Sequence, residues 1–400
     1  MRTTLQSLLA ISALLIAPAT LRAQDVSDED NPSPPSHWAI NLTIGGTGLS
    51  IGNSARVNGL RINWSDRDLD RVNGINLTLW RPYKHLSGTI NGAAIGIVGP
   101  GAEEINGLAL GLAGVVTERR MRGVSIAGLG VVSQGSIEGI SLAGLGAVAQ
   151  GRMRGISIAG LGVVSEGGIS GIALSGLGTV SQGPMSGFAF AGLGAVSQGN
   201  ATGILIGGLG TVSEGSITGF AASGLGTVSQ GGLTGVGLSG LAVVTQGDLK
   251  WLSIAGLATV AQGDITGVTV SGLATVAQGE VHGISLNGLA LVSQGDFSGL
   301  AVGGVAVVGQ RALKGTIVTL GRADAPRMAG IIVSSYLKSR SVTGLGIGLG
   351  YNYVRGTFVG LQIGLVNDTR VLRGFQLGLV NIARNNHGIA RVLPILNAHL

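Results

Sequence analysis

The stretch Gly139-Ile-Ser-Leu-Ala-Gly-Leu-Gly-Ala-Val-Ala-Gln-Gly151 opens a 16-residue unit that recurs twelve times over residues 123–314 without an insertion or deletion. A strict short period marks a repeat array, in which each unit is one supersecondary element stacked on the next. Units are numbered here from the leading glycine (Gly123, Gly139, Gly155, and so on to Gly299), a place taken once by Trp251. Position 2 is apolar throughout (Val124, Ile140, Phe188) and position 4 is mostly a larger aliphatic (Ile126, Leu142, Ile158). Position 7 is leucine until Val305, position 10 is always valine, and position 15 is apolar again (Ile137, Met153, Phe297).

Apolar residues at 2 and 4 with small ones at 3 and 5 give the period-2 alternation of a strand with one buried face. On this reading the aliphatics at 2, 4, 7, 10 and 15 fill the interior, and Ser, Ala, Thr and Gly clothe the broad faces. Glycine at 1, 6 and 13 punctuates the unit where the backbone bends. Helix is disfavoured, because each of those glycines costs about 1 kcal/mol relative to alanine. One coil alone cannot offset the entropy of ordering its residues, so neighbours must supply hydrogen bonds and close the apolar stacks. The predicted fold is all-β, a parallel β-solenoid of ~16-residue coils with two strands each. At about 4.8 Å per coil the array is a rod of roughly 58 Å. Position 12 is Gln or Glu in every unit (Gln134, Gln150, Glu166, on to Gln310), which predicts an amide ladder along one corner. Position 8 changes from glycine to alanine at Ala242, read as a slight stiffening of the coil.

Weaker copies flank the array. Upstream glycines stand at Gly59, Gly74, Gly92 and Gly107, and downstream ones at Gly315, Gly330, Gly344, Gly360, Gly374 and Gly388. Counting these as coils lengthens the predicted rod to about 95 Å. Terminal repeats must cap the apolar stack, which assigns residues 38–58 and 389–400 as caps. The expected organisation is irregular coils and a cap over 38–122, the twelve units over 123–314, and basic coils with a cap over 315–400.

Residues 1–23 read as a secretory signal peptide: Arg2, the apolar run Leu8–Ala17, then small residues with cleavage after Ala19 or Ala23. Residues 24–37, acidic and rich in Pro and Ser, read as a disordered linker. Cysteine is absent, which leaves no disulfide framework and no lipid-acceptor thiol. No apolar stretch long enough for a membrane-spanning helix follows. Charge is uneven: residues 123–310 hold three basic and seven acidic side chains, whereas 311–400 hold eleven and two. The basic segment 311–400 is therefore the expected contact with an anionic surface or the cell envelope. Uncharged broad faces suggest self-association or membrane contact.

The downstream coils Gly360-Leu-Gln-Ile-Gly-Leu-Val-Asn367 and Gly374-Phe-Gln-Leu-Gly-Leu-Val-Asn381 resemble a family of bacterial surface-repeat proteins built from G-L-Q-x-G-L-[IV]-N coils. The resemblance implies an exported protein at the cell surface or outer membrane, and no enzymatic activity. The period is also that of ice-nucleating solenoids, but their Thr-x-Thr rows are missing here.

Chemistry-bearing motifs are few. The five histidines (His37, His85, His282, His387, His399) are scattered, without metal-ligand spacing. Asp66-Arg-Asp-Leu-Asp70 has alternating carboxylates, as a Ca²⁺ loop would, but lacks that loop's glycine and its closing glutamate, where Leu77 stands; a solvated corner is the expectation. No phosphate-cradling G-K-[ST] and no G-x-S-x-G elbow occurs. At 4% of the chain, aromatics are too sparse for a nucleic-acid stacking platform. No catalytic, cofactor-binding or metal-ligating residue is assigned, and no cofactor. Any functional residue is expected in the irregular corners Asp66–Asp70, Arg81–His85, Arg370–Arg373 and Arg384–His387. The function this implies is an exported, non-enzymatic surface or outer-membrane-associated protein with a structural or adhesive role. The alternative is an outer-membrane β-barrel channel, against which stand strands shorter than the 9–11 residues needed to span and the missing aromatic girdles.

Overall fold

Each coil of the array holds one long strand and one short one. In a representative coil these are Met153–Ala159, spanning positions 15 to 5, and Gly162–Ser165, spanning positions 8 to 11. Both pair in parallel with their counterparts one coil away on either side. Gly155 lies between Gly139 and Gly171, and Val164 between Val148 and Val180. The computed structural model describes residues 38–80, 82 and 85–399, and over them the chain is a parallel β-solenoid. The signal peptide (1–23) and linker (24–37) read from the sequence lie outside the described residues. The antiparallel hairpins that the barrel alternative requires along the whole chain occur, among the described residues, only at the two ends.

The direction of the side chains reverses the sequence expectation. Positions 3, 9, 11 and 15 are buried in all twelve units, and position 5 in all but one, where Ser223 is half-buried. The large aliphatics at 2, 4, 7 and 10 are nowhere buried, and the leucines of position 7 are 40% (Leu193) to 54% (Leu129) exposed. Of the five apolar positions assigned to the core, only position 15 belongs there. The cause is volume. Two sheets closed by one 16-residue turn stand too near each other to take a large side chain at every inward position. Mostly small residues therefore line the interior at positions 3, 5, 9 and 11, and larger side chains, chiefly at position 15 as in Met153 or Phe297, fill what is left. Many interior hydroxyls are satisfied locally: Ser165 Oγ lies 2.8 Å from the carbonyl oxygens of both Gly151 and Gly168, which share its one hydrogen, and Thr211 and Thr227 bond each other at 2.9 Å.

This inversion predicts unequal effects within one coil. Ala261 is fully buried at position 11, where no unit carries anything larger than threonine. Ala261→Leu is expected to cost about 1–3 kcal/mol through overpacking. Leu257→Ala, on the outer corner of the same coil, should stay within about 0.5 kcal/mol. Denaturant midpoints of the two variants decide the matter, and the opposite ranking would place the leucines inside.

The ends depart from the array. At the N-terminal end Ala39–Ile44 folds back antiparallel on Thr47–Gly52, which begins the parallel register with Arg56–Asn63. At the C-terminal end Gly388, expected to open a further coil, instead begins a short 3₁₀ turn, Gly388–Arg391. The chain then reverses, and Val392–His399 pairs antiparallel with the coil of Gly374. Asn386 holds the reversal, its Nδ2 donating to Asn397 Oδ1 at 2.9 Å and to the Ala390 carbonyl at 3.3 Å.

Amide ladders exist, but not where position 12 predicts. Those glutamines are largely exposed, and among the described residues no hydrogen bond joins one of their side chains to the next. The G-L-Q-x-G-L-V-N coils instead turn their amides inward. Asn352 Nδ2 donates to Asn367 and Asn367 Nδ2 to Asn381, both at 2.7 Å, and Gln376 bonds Gln362 at 2.9 Å. A second, outer ladder runs Asn106–Asn91–Asn73–Asn58 at 3.1, 2.9 and 2.7 Å.

Candidate functional site

Turning positions 2, 4, 7 and 10 outward gives the coil an apolar half and a polar half. In the twelve units every Asp, Glu, Lys, Arg and His falls at positions 12 to 16, and none at 1 to 11. Position 7 forms the corner between the two strands, so its leucines stack into a ridge along the array. Their backbones are tied coil to coil: Leu145 N donates to the Leu129 carbonyl at 2.7 Å, and Gly146 N to the same oxygen at 3.1 Å. The corner after the long strand stays apolar and exposed beyond the array, with Trp64, Trp80, Ile97 and Leu112 upstream and Leu349, Leu365 and Leu379 downstream. The Trp64 and Trp80 rings stack at 5.9 Å. Positions 2 and 4 flank the ridge on one side and position 10 on the other, so the apolar surface is convex.

The opposite edge carries the charge. Ion pairs join neighbouring positions there: Arg122–Glu138 at 3.1 Å, Lys250–Asp248 at 3.1 Å and Lys314–Asp296 at 3.2 Å. Position 14 stacks Asp248, Asp264, Glu280 and Asp296. Asp248 Oδ1 accepts the backbone N–H of Asp264 at 3.1 Å; this bond first, then Lys250, holds the Asp248 carboxyl below its ordinary value.

Trp251 sits where the halves meet, between Lys250 at position 16 and the apolar position 2. It is 71% exposed and has φ of 94°, a region that bulky residues rarely enter. Its neighbours in the column, Gly235 and Gly267, have φ of 129° and 126°.

The sequence-predicted corners fare unequally. Asp66–Asp70 is neither a solvated corner nor a cluster of carboxylates. Asp66 is 2% exposed inside the coil, while Asp68 and Asp70 are exposed, Asp70 paired with Arg56. Asp66 accepts from Arg61 Nη1 at 3.0 Å, Asn63 at 2.8 Å, Asn76 at 2.9 Å, Thr78 Oγ1 at 2.8 Å and the Gly101 N–H at 3.1 Å. Arg61 is fully buried at position 3; burial lowers its pKa, and Asp66 opposes that shift. Of Arg81–His85, Arg81, Tyr83 and Lys84 lie outside the described residues. Arg370 and Arg373 are exposed. Arg384 makes a two-point pair with Asp368 at 2.9 and 2.6 Å, which raises its pKa, and His387 only precedes the terminal turn. Among the described residues no group of three or more His, Cys, Asp or Glu is placed to hold a metal ion, and no helix is long and apolar enough to cross a membrane.

Sequence reasoning missed the ridge and the Arg61 pair. The signal for the first is the absence of charge from positions 1 to 11. For the second it is an arginine in a column that is otherwise uncharged and mostly small, which becomes legible once that column is known to face inward. Comparison with protein-family profiles, curated proteins and solved structures gives no match to this chain.

Proposed function

We propose that the chain is an exported, non-enzymatic rod of the cell envelope, associated with the outer membrane or cell surface and structural in role. The observation that carries this reading is the parallel register, which keeps one column, glycine in every coil but that of Trp251, in line from Gly48 to Gly374. Such an array extends one surface pattern over many coils, which suits a spacer or scaffold better than a single reaction site. The signal-like residues 1–23 and the likeness of residues 360–381 to G-L-Q-x-G-L-[IV]-N surface repeats support export. The basic segment 311–400 suits contact with anionic envelope components: Arg327, Arg340, Arg370 and Arg373 are all exposed.

The test is fractionation of cells expressing the full chain with a C-terminal epitope tag. Recovery in the envelope fraction with the N-terminal segment removed is expected. Recovery in the cytosol with that segment intact would overturn the proposal.

A further inference from the structure

The geometry points to a lipid bilayer as the partner of the apolar ridge. The rod lies along the membrane, with position 7 and its flanking positions 4 and 10 in the acyl region, position 2 at its border and positions 12 to 16 in water. This rests on the envelope reading above and names the partner of that rod.

Shape favours lipid over a second copy. The apolar surface is convex, a ridge with apolar flanks on both sides. A second rod laid on either flank leaves the other uncovered, whereas fluid hydrocarbon conforms to both. The distribution of charge agrees, since an element lying in an interface needs a wet face opposite an uncharged one. All twelve units keep ionisable side chains off positions 1 to 11.

Backbone polarity permits insertion. Hydrocarbon tolerates only backbone whose N–H and C=O groups are paired within the protein. Along the ridge each leucine N–H donates to the carbonyl of the matching residue one coil back, as in Leu161 to Leu145 and Leu177 to Leu161, both at 2.8 Å. The dimensions fit as well. Positions 4 and 10 stand three residues from the ridge, about 10 Å of strand at most. Interfacial elements bury their apolar side to about that depth, roughly 5–10 Å.

Trp251 is an independent marker. An exposed tryptophan beside a lysine, at the border of an apolar and a charged surface, is the arrangement found at headgroup level. It stands in a column where every other unit carries glycine, at a φ costly for a bulky residue. Strain of that kind persists where a function retains it. Arg122, Arg154 and Lys314 occupy the same border at position 16.

The test is flotation of the full chain with phosphatidylcholine vesicles, with and without phosphatidylglycerol. The wild-type chain is expected to float on both. Trp251 fluorescence, read with Trp38, Trp64 and Trp80 replaced by phenylalanine, should shift to the blue and be quenched by shallow-brominated lipids. Combining Leu193→Glu, Leu209→Glu and Leu225→Glu should lower vesicle partitioning at least about tenfold with the β-sheet circular dichroism unchanged. The matched set Gln182→Glu, Gln198→Glu and Gln230→Glu, on the wet edge, should float as the wild type does.

Flotation of the ridge variant at wild-type level overturns the proposal. So does a wild-type chain that ignores vesicles but sediments as a dimer dissolved by the ridge substitutions, because the ridge then faces a second copy. Fractionation in cells keeps the two readings apart: an envelope-bound chain indifferent to the ridge substitutions sinks the lipid contact alone, and a cytosolic chain sinks the envelope reading.

Discussion

Valine in place of Gly203 is expected to destabilise the array by about 3–5 kcal/mol, in the range reserved for severe core or backbone damage. Gly203 has φ of 112°, and a Cβ built on it falls 2.1 Å from the Gly187 carbonyl oxygen. That oxygen is backbone of the adjoining coil, so no side-chain rotation relieves the clash. The chain must either leave its φ or open the ladder between coils, losing about 0.5–1.5 kcal/mol for each hydrogen bond broken. A β-branched residue adds its own cost at positive φ. Each coil contacts only its neighbours, so the damage should divide one cooperative unfolding transition into two. A denaturant melt followed by circular dichroism reads this directly, and a single transition with an unchanged midpoint would refute the account of the glycine column.

The same column supplies a converse. Trp251→Gly should stabilise the protein by about 1–2 kcal/mol, because it releases a bulky residue from a φ that glycine adopts freely. The substitution is also expected to weaken membrane partitioning. Gain in stability with loss of binding is the pattern expected where strain is retained for function.

The second large effect is at Asp66. Asp66→Ala should destabilise the N-terminal coils by about 3–5 kcal/mol, since removing one partner leaves a buried guanidinium uncompensated. Four further donors lose their acceptor at the same time: Asn63, Asn76, Thr78 and the Gly101 N–H. The cause is the unpaired charge, so adding Arg61→Met to Asp66→Ala should recover much of the loss. Hydrogen exchange over residues 56–101 is the suitable measurement. Protection there should fall in the single variant, return in the double variant, and remain unchanged through the array in both. Full protection in Asp66→Ala would show that the pair carries no stability.

The period of sixteen, read from one stretch of sequence, determined the architecture. An invariant spacing of glycines, leucines and valines allows each residue only its own copy as neighbour in the next coil, which is a parallel register. Charge confined to positions 12 to 16 likewise placed the wet edge, because ionised side chains do not enter a dry interior unpaired. The exceptions lie at the ends: Arg61 and Asp66, a charged pair taken inside the coil, and Gly388, where the reversal held by Asn386 ends the coils.

Tertiary structure alone decided which face of each strand turns inward. Alternation is unchanged when the two faces are exchanged, so period-2 patterning cannot choose between them. Hydropathy chooses the larger aliphatics for the core, and here it chooses wrongly. Ala261, Ser165 and Thr211 fit between two sheets closed by one short coil, and the column that holds Leu257 has no room there. The apolar ridge follows from that limit on volume: side chains that alternation offers to either face go to the outside because the inside is full.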